Sequence, residues 1–116
     1  MKKIFGSVAC IVILAIACSK SSEKTGDTGT VDCSTITTTF SANVGPLVTT
    51  SCAKSGCHAS GSTNGPGALT NYTQIFNSRV AIRAAVASGE MPQDATFTAT
   101  QKAIITCWID AGAQNN

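Results

Sequence analysis

The chain has 116 residues, 43% hydrophobic, 5% aromatic and 12% charged, with a formal net charge of +2. That length allows one domain, and the near-neutral balance excludes a nucleic-acid binder, which needs clustered Lys and Arg. Six cysteines against one histidine exclude any site built on two histidines, and leave disulfides, metal ligation or covalent cofactor attachment to be separated.

Lys2 and Lys3 precede an uncharged apolar run at residues 4–17, which is short for a membrane span. The run ends Leu14-Ala15-Ile16-Ala17-Cys18. This resembles a bacterial lipoprotein signal, which implies removal of residues 1–17 and lipidation of Cys18. An ordinary secretory signal or an uncleaved anchor are the alternatives, and all three put the remainder outside the cytoplasm. The expected location is therefore extracytoplasmic, with a lipid anchor in a bacterial membrane, on the periplasmic side or at the outer membrane. Losing Lys2 and Lys3 takes the eight basic side chains to six, against six acidic ones, and the formal charge to zero. Residues 18–32 form the lipidated cysteine and a polar stretch with one branched aliphatic residue, Val31. Such a stretch cannot bury enough surface to offset its ordering entropy and is expected to be a flexible tether. The domain is then 33–116, small enough to need a staple or a cofactor in its core.

Phe40, Val44, Leu47 and Val48 recur at helical spacing, with Pro46 at the start of that helix or kinking it. A glycine-rich loop follows Cys57-His58 and holds Gly61, Gly65, Pro66 and Gly67, which no regular element survives. Thr70 or Asn71 is placed to cap a short turn through Tyr72, Ile75 and Phe76. Ser78 is placed to cap a helix carrying Val80, Ile82, Ala84, Ala85 and Val86, ended by Gly89. Thr98 or Thr100 caps the last helix, whose apolar face is Ile104, Ile105, Trp108 and Ile109, and Gly112 ends it. Arg79 and Arg83 lie one helical turn apart and read as a solvated face, or as a pairing site for an anionic group. No alternating strand pattern appears after Cys52, so the expected class is all-α, with three to four short helices and long loops.

Two cysteines followed at once by histidine, Cys52…Cys57-His58, is the logic of covalent haem attachment. The thiols add to the two vinyl groups of the porphyrin and the adjacent histidine is carried under the iron. Four residues separate the cysteines here instead of two, and Gly56 with its small neighbours would let the longer loop bulge. A thioether further along the chain would complete the axial pair, and Met91, in Gly89-Glu90-Met91-Pro92, is suited to it. The plain readings are a Cys52–Cys57 disulfide, an incidental surface His58 and a packing Met91.

Taken together, Cys57-His58, Met91-Pro92 and Cys107-Trp108-Ile109-Asp110-Ala111-Gly112 resemble the small class I type cytochrome c domains of bacterial lipoproteins. The resemblance spans about residues 40–114 and departs from the family's pattern in the four-residue spacer. It implies a cytochrome c-like fold around one haem c, with thioethers at Cys52 and Cys57. It also implies His58 as proximal ligand, Met91 as distal ligand, and Trp108 on a helix packing across the first. Cys33 and Cys107 are left as an even pair just before the first helix and within the last. Those helices pack together in such a fold, so the two are expected to form a disulfide, closing a loop of about 74 residues.

Three functions compete. The first is a membrane-anchored electron carrier serving a redox partner protein, alone or as a subunit of a larger redox enzyme. The second is a haemless, disulfide-stapled binding or structural module. The third is a zinc site built from Cys52, Cys57, His58 and one more cysteine. An enzyme in its own right is not expected: no Ser-His-Asp set is possible without spending His58, and no paired carboxylates stand out.

Overall fold

The computed structural model describes residues 31–116. The expected signal sequence (1–17), Cys18 and the expected tether up to residue 30 lie outside the described residues. Four helices make up the regular structure: α1 (Gly45–Ser51), α2 (Tyr72–Asn77), α3 (Arg79–Ser88) and α4 (Ala99–Asp110). A 3-10 turn, Cys33–Thr35, and a π-helical turn, Phe40–Val44, precede them, and no strand occurs among the described residues. The class is all-α.

The first helical stretch is split in two. Pro46 sits in the opening turn of α1, where its missing N–H costs little. It offers no donor to the preceding turn, which widens to π geometry with Gly45 N–H bonded to the Phe40 carbonyl. Gly45 also permits the close approach: a Cβ there would lie 3.1 Å from that carbonyl oxygen. Thr39 starts the turn by accepting from the Ala42 amide.

Asn71, not Thr70, caps α2, its side chain accepting from Gln74 N–H at 3.0 Å. Gln74 returns the bond by accepting from Thr70 N–H and Oγ1. Thr98, not Thr100, caps α4 in a reciprocal arrangement with Gln101. Gly89 ends α3 in the left-handed region at φ +82°. Ser78 stands at the start of α3 but its side chain makes no capping bond, because α2 runs almost directly into α3 and the Ser78 backbone is held near the helical region. Two further expectations are corrected. Val80 faces solvent at 75% exposure, since it lies about 200° around α3 from Ile82, the buried side. Ile104 and Ile109 are only part-buried, whereas Ile105, Thr106, Cys107 and Trp108 are buried.

The core joins Val44, Val48, Ile75, Ile82, Val86, Ile105 and Trp108, with Leu69 and Phe97 contributed from loops. α4 packs on α3 and on the π-turn. At one side the rings of Phe40 and Tyr72 meet edge to face, centroids 5.1 Å apart, and both contact Trp108. The last residues close over this cluster. Trp108 Nε1 donates to the Gln114 carbonyl at 2.9 Å, and Tyr72 OH donates to the Ala113 carbonyl at 3.0 Å. Phe40 N–H and Ser41 N–H donate to Asn116. The Cys33 and Cys107 sulfurs lie at bonding distance, with Cα atoms 5.4 Å apart, tying the segment before the π-turn to α4.

Candidate functional site

Cys52 ends α1, and the chain then folds into a compact loop. The His58 amide donates to the Cys52 carbonyl at 3.0 Å, while the Cys57 and Ala59 amides both donate to the Lys54 carbonyl. The extra spacer residues form this turn, with Gly56 at φ +80°, where only glycine is free of strain. Cys52 and Cys57 remain free thiols. Burial pushes the Cys52 thiol up from its ordinary value, opposed by the Lys54 ammonium, so its sulfur stays neutral in apolar surroundings.

His58 is buried, 6% exposed. Its Nδ1 lies 2.8 Å from the Gly67 carbonyl. A carbonyl only accepts, so Nδ1 carries a proton and Nε2 is the one ring nitrogen placed to offer a lone pair. Nε2 makes no hydrogen bond, yet no inaccessible side-chain nitrogen or oxygen lacks a partner among the described residues. Nε2 therefore opens to the cavity that His58 lines. An imidazole oriented through Nδ1–H by a backbone carbonyl is the arrangement common among metal-binding histidines.

Met91 follows the glycine that ends α3, and its amide donates to the Ala85 carbonyl at 3.1 Å, holding the turn against the helix. It is part-buried, and Pro92 beside it is buried. Lys54, in the spacer, donates to Asp94 at 2.8 Å, linking the cysteine loop to the Met91 loop. That bond, with the Lys54 charge, holds the Asp94 carboxyl below its ordinary range.

Cys52, Cys57, His58 and Met91 line one cavity of about 540 Å³, walled by Leu69 and by Ile82 and Val86 of α3. That volume falls within the range of sites for small molecules and cofactors. Asn64 also lines it. Sequence reasoning passed over Asn64 because a lone asparagine in a glycine-rich loop reads as a turn former. The arginines are engaged elsewhere: Arg83 grips Asp110 with bonds of 2.6 and 2.8 Å, and Arg79 stacks on Phe76 while donating to its carbonyl. Neither lines the cavity. Among the described residues the zinc site has no further free cysteine as fourth ligand, since Cys33 and Cys107 are joined to each other. Among the described residues no three His, Cys, Asp or Glu side chains are grouped to hold a metal ion.

Compared with known proteins, the chain matches no family model, no curated protein and no solved structure. Among the described residues no helix is long and apolar enough to cross a membrane.

Proposed function

We propose that the protein is a membrane-anchored monohaem c-type cytochrome, a small cytochrome c-like domain that carries electrons outside the cytoplasm. The observation that carries this is the convergence of Cys52, Cys57, His58 and Met91 on one cavity. The donor set fits the group: two unpaired thiols five positions apart, an imidazole held through Nδ1, and the thioether of Met91. Cys52 and Cys57 would hold haem c covalently, and His58 and Met91 would bind its iron. The haem iron supplies a one-electron ferrous/ferric couple, and thioether ligation favours the reduced state. If His58 and Met91 both bound the iron they would leave no place for substrate there, and electron transfer to a redox partner protein would be outer-sphere. Leu69, Ile82 and Val86 would give the group an apolar wall. Cys18, outside the described residues, would carry the lipid anchor. The haemless, disulfide-stapled module accounts for Cys33 and Cys107 but gives Cys52, Cys57 and His58 no common task.

Export of the full chain in a host with cytochrome c maturation machinery, followed by a denaturing gel stained for haem, tests the proposal. A stained band is expected, and Met91→Ala should keep the stain while losing the weak charge-transfer absorbance of Met-ligated ferric haem. A colourless band of exported full-length protein would reject covalent attachment, and an unchanged Met91→Ala spectrum would remove Met91 from the iron.

A further inference from the structure

The Gly56 and Cys57 carbonyls of the cysteine loop face side chains beyond it. Asn64 Nδ2 donates to the Gly56 carbonyl at 3.0 Å and to the Cys57 carbonyl at 3.1 Å. Ser62 Oγ donates to the same Cys57 carbonyl, and the Asn64 amide donates back to Ser62 Oγ at 3.2 Å. Both partners of the Asn64 side chain are carbonyls, which settles that its NH2 and not its oxygen faces them. The Asn64 carbonyl in turn accepts from Gly67 N–H at 2.8 Å. Gly67 then presents its own carbonyl to His58 Nδ1 at 2.8 Å. Gly67 sits at φ +87° and packs closely, a Cβ there lying 3.4 Å from the Ser62 carbonyl oxygen.

We propose that Asn64 is a positioning residue: it ties the cysteine loop to the turn that holds the His58 ring, and so selects which ring nitrogen keeps its lone pair. With Asn64 in place, Cys57 and Gly67 keep a fixed spacing although the spacer is long. The wiring needs no bound group; its use in presenting Nε2 to iron rests on the proposed function above.

His58 is the only histidine in the chain, so imidazole nitrogen signals in untagged, 15N-labelled full-length protein belong to it alone. The wild type should show the Nδ1–H tautomer with slow solvent exchange of that proton. Asn64→Ala removes the side chain, and Asn64→Asp keeps its shape but loses both donors. Exchange should speed up about thirtyfold in each, the factor that two ordinary hydrogen bonds carry. Arg83→Gln, on the far side of α3, should leave it unchanged. Wild-type exchange in either folded variant would overturn the proposal. If neither variant folds, hydrogen-bond scalar couplings in the wild type decide: their absence between Asn64 Nδ2 and the Cys57 carbonyl overturns it. The measurement is made on whichever form is exported, coloured in its reduced state or colourless. A colourless wild type therefore defeats the haem reading while leaving the role of Asn64 to be judged separately.

Discussion

The two sides of this small domain differ in how far the polypeptide completes them. On one side Phe40, Tyr72 and Trp108 pack ring against ring, their polar atoms are bonded to the last residues, and Cys33 is joined to Cys107. On the other, apolar walls surround a cavity of about 540 Å³ holding two free thiols, a free imidazole nitrogen and a thioether. The aromatic side stands without help, while the cavity side has the side chains of a site and too few to fill it. α3 and α4 pack along the seam between them. Such a division lets the packed half hold the side chains of the cavity in register before anything is bound.

The largest test of this contrast is Trp108→Ala. Trp108 is 2% exposed, and its removal should cost about 3–5 kcal/mol, enough to unfold a marginal domain. Met91→Ala, at a part-buried position beside empty volume, should cost about 1 kcal/mol. Urea titration of both variants compares the sides directly, and equal costs would break the contrast. Next comes the Cys33→Ser/Cys107→Ser double variant. The bridge spans a sequence separation of 74, so its loss should cost about 2–4 kcal/mol. A reductant should lower the melting temperature of the wild type to that of the double variant and leave the variant unmoved. An equal drop in both would show that the bridge is not the source.

How much of this was legible in the sequence follows the same division. α2 and α4 could be read from apolar spacing and from the caps Asn71 and Thr98, because helix periodicity and capping are local chemistry. Cys52, Cys57, His58 and Met91 were visible for a similar reason: reactive residue types at short spacing, with no competing His and one other Met. The positions that sequence reasoning passed over depend on contacts between distant segments. Leu69 and Phe97 sit in loops without periodicity, yet both are buried. Nothing local marks Asn64 as the partner of two carbonyls seven and eight residues away. Val80 fitted an apolar pattern, but only the placement of α3 against α4 decides which side of the helix is covered.

The smallest effect lies on the seam itself. Arg83 of α3 holds Asp110 at the end of α4 through two bonds. The hydrogen bond first, then the guanidinium charge, keeps the Asp110 carboxyl below its ordinary range. A depressed folded-state pKa stabilises the fold above the unfolded carboxylate value, about 4, and the benefit is lost as pH falls through the folded value. Both side chains are nearly half exposed, 46% and 43%, so solvent screening should limit the pair to less than about 1 kcal/mol. Arg83→Gln should therefore lose a few tenths of a kcal/mol at neutral pH, and less at high salt. The gap to wild type should close as pH falls below about 4. Asp32 and Asp94 are also held low, by Ser34 and by Lys54, and they titrate in both proteins, so only the difference between the two curves reports Asp110. A gap that stays constant down to about pH 2 would place the contribution of Arg83 in the packing of its methylenes along the seam, and not in its charge.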